Sequence, residues 1–421
     1  MYNAVFNSNN LGTGDYKISK IDVAMPSTDV NKYKLVRSDG QIVTSKFYGG
    51  RTIKVSGSIN ANNYDQMQAR LDTLKTWVDG YGKPLDITLG NTVRRYTATV
   101  DSFNYKTQGY FCEWDILFTC DSIGYDSNNT ALTFGTYTSS NTSYSNTIGG
   151  TYKTYPYLEL QFNYVVPYWS AKYLQLKNPI TNEYLRITKQ WLPQDKIVIN
   201  GLTKQVQMYQ SSLSVVDSMD TITYWASAHT LTLETVNQMQ GVGASKVVMG
   251  SAGTSSYVQR LNTGITDMSS TAGKVMIAIF IPTLTSGVIS KVTLQIGSDV
   301  TLGSNYCNYE VTTQLTGSAI TANAWNYFAF DLSTSPTSTT GSPVRTAIRS
   351  ISIIVSDGSN FQANGLLFDY LVISKSNPII SSVDYEGLIP SLNTNANSLV
   401  FEDELTSRNI TITGNYYKRY L

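Results

Sequence analysis

Few residues of this 421-residue chain have the character to do covalent chemistry. His229 is the one histidine, set in the polar stretch WASAHTLTL, so any Ser–His or Cys–His pair would have to use it. No motif supports it: HExxH, CxxC and a phosphate-cradling glycine loop are all missing from the sequence. An exposed strand or loop histidine is the plainer reading. Glu402, Asp403 and Glu404 are adjacent carboxylates. Neighbours on a strand point to opposite faces, so they read as a solvated edge rather than an acid–base pair. Asp369 sits inside the apolar run LLFDYLV and needs a partner if it is buried. Of the three cysteines, Cys112 and Cys120 fall at the two ends of one predicted strand. At about 3.3 Å per residue they stand roughly 26 Å apart, beyond bridging distance. Together with Cys307 they read as buried, reduced thiols, which fits assembly in a cytoplasm. The expectation is a protein that is not an enzyme.

The bulk numbers fit a multi-domain, well-packed chain. Hydrophobic residues make up 41% and charged residues 14%, so packed cores are expected and the polar surface must come from Ser, Thr, Asn, Gln and Tyr. Thirty tyrosines suit strands and recognition surfaces, where a rigid apolar ring carries a polar tip. A net charge of +1 gives no basic stripe for nucleic acid, and the Arg94-Arg95 doublet suits a solvated strand face. No apolar run is long enough for a membrane span, and the start, MYNAVF, lacks the pattern of a signal peptide. A protein of this kind that works outside a cell would leave by another route.

The elements that would position these residues are mainly strands. In RTIKVSGSI, residues Ile53, Val55, Gly57 and Ile59 alternate as a half-buried strand. A helix over 62–79 follows, with Tyr64, Met67, Leu71, Leu74 and Val78 as its apolar stripe. Asn62 or Asn63 can cap its start, and Gly80 and Gly82 can end it. Two strands come next, with Tyr96, Ala98 and Val100 on one and Tyr110, Cys112, Trp114, Ile116 and Phe118 on the other. Residues 126–155 have little periodicity and read as a linker or arm. From about 156 the pattern is all β. Leu158, Leu160 and Phe162 alternate, and Asn200-Gly201 sits between two alternating runs, as in a tight type I′ hairpin. Six further runs between 275 and 373, separated by Ser/Thr-rich loops, predict a second sandwich or jelly roll. The last stretch, with Leu399, Phe401, Ile410 and Ile412, has too few strands to fold alone. It is expected to complete the body opened at 156, which makes the segment between a guest inserted at a loop tip.

Three stretches, in this order, resemble the siphophage distal tail proteins: RTIKVSGSINANNYDQMQARLDTLKTWV with PLDITL and RRYTATV; KNPITNEYLRI with QDKIVINGLTKQV; and DYEGLIPSLNTNANSLVFED…ITITGNYYKRYL. The inserted segment resembles carbohydrate-binding jelly-roll modules through SDVTLGSNYCNYEVT, AWNYFAFDL and GLLFDYLVI. The resemblance implies a mainly β chain in three domains. Residues 1–145 would be a tail-hub ring domain, a β-barrel or sheet with one helix. Residues 146–213 plus 378–421 would form a split galectin-like β-sandwich, and 214–377 an inserted jelly-roll sandwich. It also implies a homohexameric ring at the end of a phage tail that joins the tail tube protein to a tail-associated tip protein. DNA would only pass through its channel. The place of action would be the virion tail tip, assembled in the host cytoplasm.

The same resemblance implies that the insert binds host cell-surface saccharide, which needs aromatic faces for stacking and polar groups for hydroxyls. The candidates are Trp225, Tyr257, Tyr306 and Tyr309, each of which core or edge packing would also explain. Tyr306 and Tyr309 have opposite parity, so only one of them faces a given side of a regular strand. Trp325 reads as core, within the dense strand WNYFAFDL. No cofactor is expected beyond a structural calcium: in many such modules an acidic residue at the position of Asp369 helps hold one, and the sequence names no other ligand. Two other readings stay open: a receptor-binding tail protein that is not the hub, and a polysaccharide-degrading enzyme with a binding module.

Overall fold

The computed structural model describes residues 2–34, 41–264, 266–269 and 273–421. It is mainly β, as expected, with several sheets and one α-helix. The first sheet runs in the order Asn9–Asn10, Asn3–Phe6, Lys83–Leu89, Thr92–Gln108, Phe111–Cys120, Arg51–Asn60, Tyr16–Val23. Its two edges do not meet among the described residues, so of the two forms expected, barrel or sheet, it is an open sheet. The helix Tyr64–Val78 lies on it and buries Met67, Leu71, Leu74 and Val78 against Ile53, Val55, Ile116 and Phe118. Asn63 is the cap, its Oδ1 accepting from Gln66 N at 2.8 Å, while Gln66 Oε1 accepts from Asn62 N at 2.9 Å. Tyr64, read as part of the stripe, is instead exposed at the helix start. Gly57 is required: a Cβ there would stand 2.2 Å from the Trp114 ring and 2.4 Å from the Lys17 carbonyl oxygen.

An eleven-stranded sheet carries the rest of the molecule. Along its main path run Thr130–Ala131, Ser407–Tyr416, Pro156–Val166, Lys196–Asn200, Gln205–Asp217, Asn364–Ser382, Ala244–Val248 and Thr230–Glu234, and Lys274–Ile281 and Ala324–Asp331 extend it from Asn364–Ser382. One part faces a five-stranded sheet in the order Thr142–Ile148, Asn395–Asp403, Ala171–Asn178, Glu183–Gln190, Glu386–Gly387. Leu158, Leu160, Phe162, Leu174, Leu176, Leu399, Phe401 and Ile410 fill the space between. The other part faces a six-stranded sheet that includes Gly253–Arg260, Ser350–Phe361, Lys291–Gly297 and Tyr306–Val311, around Val275, Ile277, Phe328, Leu294 and Ile353. The last strands therefore pair with strands before position 214: Ser407–Tyr416 with Pro156–Val166, and Asn395–Asp403 with Ala171–Asn178.

Three local readings change. Residues 126–155 are not a free arm, because Thr142–Ile148 pairs along seven residues with Asn395–Asp403 and Tyr137 is fully buried. Its Ser/Thr/Tyr alternation is that of a polar edge strand with one face on the core. Nor do the strands stop at 214, where the guest is expected to begin. Gln205–Asp217 continues through it, paired with Asn364–Ser382, and Thr230–Glu234, Ala244–Val248 and Gly253–Arg260 are strands the sequence pattern did not show. Finally, Asn200-Gly201 does not form a two-residue type I′ turn. The strands end at Asn200 and resume at Gln205, and Lys204 takes the positive φ (58°). Gly201 is needed for close approach instead, since a Cβ would fall 2.7 Å from Pro156 O.

Candidate functional site

The six-stranded sheet holds all four aromatics proposed for saccharide, but it does not gather them. Trp225 and Tyr309 are 6% and 4% exposed and belong to the hydrophobic core of this body. The Arg345 guanidinium lies 5.4 Å from the Tyr309 ring centroid, and burial pushes the Tyr309 hydroxyl up to about 12. Tyr257 and Tyr306 are half-buried on the outer face. Register runs Tyr257–Ile354–Thr293–Glu310 across four strands, and Tyr306 lies four residues further along the last. With strands ~4.8 Å apart and ~3.3 Å per residue, the two rings are roughly 20 Å from each other. The opposite parity of Tyr306 and Tyr309 follows from the same strand.

Trp325 is a correction. It is half-buried on the outer face of the eleven-stranded sheet, while Asn326, Phe328 and Phe330 point inward. Its cross-strand partner is Phe280, with ring centroids 5.7 Å apart, and its indole N–H donates to Asn237 Oδ1 at 3.3 Å. Both faces of WNYFAFDL are apolar, so hydrophobicity alone hid the alternation. Further along this face the body built on Pro156–Val166 covers it. Trp169 stacks on Tyr327 (5.6 Å, 26°) and Tyr168 on Tyr370 (6.0 Å, 28°), with Met276 and Val372 alongside.

Asp369 is fully buried, and burial pushes its carboxyl up to about 6 against the pull of backbone N–H donors. Its Oδ2 accepts from Met239 N at 2.6 Å and Gln240 N at 3.1 Å, which pins the 235–243 loop. Asp220 pins the same loop from the other side, accepting from Val242 N (2.5 Å) and Gly243 N (3.0 Å), and its charge raises Asp369 further. Asp369 Oδ1 and the Gln238 amide oxygen are both buried without a hydrogen-bond partner. Buried acceptors with no donor, beside a second carboxylate, suit a hard cation held by oxygens, so these residues fit calcium. Among the described residues no three His, Cys, Asp or Glu side chains gather, so amide and carbonyl oxygens would complete such a site.

The other candidates for chemistry separate. His229 is half-buried, with its backbone N–H donating to Ser227 Oγ. Asp403 is not on a solvated edge: it is buried, 2.9 Å from Arg408 Nη2, and also accepts from Leu405 N. Glu402 accepts from Gln175 Nε2 at 2.8 Å and Glu404 is exposed. Cys112, Cys120 and Cys307 are free and buried, and burial pushes the Cys120 thiol up to about 12. A cavity of about 560 Å³ between the first sheet and the last strand is lined by Arg95, Asp121, Tyr125, Tyr417 and Arg419, but Arg95 is already held by both oxygens of Asp86, at 2.6 and 2.7 Å. No helix of the described residues is long and apolar enough to cross a membrane.

No protein-family model and no curated protein matches the chain. Among solved structures it is similar to SPP1 Dit, described as a paradigm of hub adsorption apparatus in Gram-positive infecting phages. The identity is 15% and the TM-score 0.38, over 49% of this chain and 82% of that one. It is similar to a chain of the phage P2 baseplate in its activated conformation with Ca, at 8% identity and TM-score 0.27 over 96% and 98% of the two chains. It is also similar to SGBP-B from a complex xyloglucan utilization locus in Bacteroides uniformis, at 9% identity and TM-score 0.26 over 85% and 99%.

Proposed function

We propose that this chain is a structural, non-enzymatic component of a phage tail tip. In this reading the first sheet and its helix form a six-membered ring that joins the tail tube to the tip proteins. The split sandwich, which also takes in Thr130–Ala131 and Thr142–Ile148, projects from the ring, and the guest of 214–377 contacts host-surface saccharide and carries a calcium at Asp369. The observation that supports it most is the return of the closing strands. Asn395–Asp403 and Ser407–Tyr416 pair with strands of 142–178, so a chain that resembles distal tail proteins at both ends closes one body around a guest. Asp220, Gln238 and Asp369 would hold the calcium, and the ion would supply positive charge to otherwise unmatched buried oxygens.

Electron microscopy of the purified full chain and of a variant lacking 214–377 tests this. Both are expected to show rings, because the deletion keeps Gln207–Gln210 paired with Ile379–Ser382, while adsorption to host cells is lost only in the variant. A full chain that stays monomeric under all conditions would sink the hub and leave the receptor-binding reading.

A further inference from the structure

The outer face of the eleven-stranded sheet carries a second surface built for a polar ring, outside the inserted module. Tyr157 pairs directly with Asn200 on one side and with Asn415 on the other. Cross-strand neighbours on one face lie about 5 Å apart, so an amide, a phenol ring and an amide form one row. That row floors a cavity of about 300 Å³ walled by Tyr155, Tyr417 and Asn129. Tyr157 is held by the donation of its hydroxyl to Glu159 Oε1 at 3.0 Å. Asn200 Oδ1 accepts from Leu202 N (3.1 Å) and Thr203 N (3.2 Å), which leaves its NH2 to donate. The side-chain amides of Asn129 and Asn415 have no partner among the described residues.

Two cations lie against the ring of Tyr155, one of the walls of the cavity. Lys204 Nζ lies 3.2 Å from the Tyr155 ring centroid and the Arg419 guanidinium carbon 6.0 Å from it. Neither makes an ion pair among the described residues, and Arg419 Nη1 donates only to the Lys153 carbonyl oxygen, at 3.2 Å. The carboxylate acting on Lys204 is Glu183, whose Oε2 is occupied by Ser391 N and Oγ, both at 2.6 Å. Partial burial holds the Lys204 ammonium below its usual range; Glu183 opposes this, and the Lys153 and Arg419 charges add to it. Glu159, the carboxylate on the floor, is paired with Lys196 Nζ at 3.5 Å, so the charges of Lys204 and Arg419 are in excess beside an amide-rich, aromatic floor. Amides reach paired hydroxyls, ring faces take C–H groups, and unmatched cations take an anion.

We propose that this cavity binds a saccharide unit bearing an acidic substituent, a carboxylate or a phosphate. The site is built from residues of 129–213 and 395–419 and stands whether or not 214–377 binds a glycan. Calorimetric titration of the full chain with glucuronic acid, glucose 6-phosphate, glucose and inorganic phosphate tests it. At least one acidic sugar is expected to bind tenfold or more tighter than both glucose and inorganic phosphate, and which one does so identifies the substituent. Lys204→Gln, in an exposed turn, should weaken that sugar about tenfold while leaving glucose unchanged, and Asn415→Ala should weaken both. Trp325→Ala, in the inserted module, should change nothing. The proposal is overturned if neither acidic sugar binds, if inorganic phosphate or glucose binds as tightly, or if Trp325→Ala rather than Lys204→Gln removes binding. Circular dichroism of each variant establishes that it is folded before titration.

Discussion

Two buried aspartates, one in each β body, have the same unusual carboxyl and different surroundings. Asp195 and Asp369 are both fully buried, and burial pushes each up to about 6. Asp195 is matched on both oxygens: Oδ1 accepts from Ser211 N at 2.7 Å and Oδ2 from Leu192 N at 2.8 Å. Asp369 is matched on one. Its Oδ2 takes two N–H donors while Oδ1 has none. The contrast separates a carboxylate that closes a turn within its own body from one that keeps a buried acceptor without a donor. Depth of burial alone does not distinguish them; counting donors does.

The largest expected effect is on Asp195. Asp195→Ala leaves two buried N–H groups without acceptors, a loss of about 2–6 kcal/mol at roughly 1–3 kcal/mol for each orphaned group. Urea unfolding of the full chain measures it. Asp369→Ala in calcium-free buffer should lose less, because it also relieves an orphaned oxygen. Equal losses would erase the distinction between the two sites. Calcium sharpens it next. At a hundredfold excess over its dissociation constant a ligand of the native state adds about 2.7 kcal/mol. Calcium should therefore raise the melting temperature of the wild type and of Asp195→Asn, EDTA should reverse the rise, and Asp369→Asn should not respond. A response that survives in Asp369→Asn places the ion elsewhere.

The sequence exposed one of these sites and not the other, for a physical reason. Asp369 was visible because a single charge interrupts LLFDYLV. Asp195 follows Pro193-Gln194 in a polar turn, QDK, and nothing local signals that Ser211, sixteen residues on, folds over it. The same limit applies to strands. Alternation gave Leu158–Leu160–Phe162 and the closing pair Leu399–Phe401 and Ile410–Ile412, because one face of each is core. It failed for WNYFAFDL, where the outward Tyr327 is covered by Trp169 of another body, and for 142–148, where the outward residues are polar and few inward ones are large. The Asn415–Tyr157–Asn200 row was illegible because its members are 258 and 43 residues apart and meet only through register. In 214–377, a residue's being aromatic said little about its place: Trp225 and Tyr309 serve the core.

The smallest expected effect is a pH slope. A carboxyl raised by folding binds its proton more tightly in the native state than in the unfolded chain, so stability rises as pH falls. For Asp195 the penalty is fully present above its folded value of about 6 and fades as pH drops toward the ordinary aspartate range. From pH 7 to pH 5 this amounts to about 1 kcal/mol at 1.36 kcal/mol per pKa unit. Asp369 and Asp403 are raised as well and add slopes of the same sign, so the wild type alone does not isolate the effect. Carboxyls held low, such as Asp115 by Ser56 and Lys54 and Asp299 by backbone N–H groups, act in the opposite sense below the ordinary range, outside this window. The difference in urea midpoint between pH 7 and pH 5, compared for wild type and Asp195→Asn in EDTA, isolates the Asp195 share. Asp195→Asn should be less stable at both pH values and should show the shallower rise on acidification. An unchanged slope would mean that the Asp195 carboxyl titrates alike in folded and unfolded chains, and the donor count at Ser211 and Leu192 would then outweigh burial rather than yield to it.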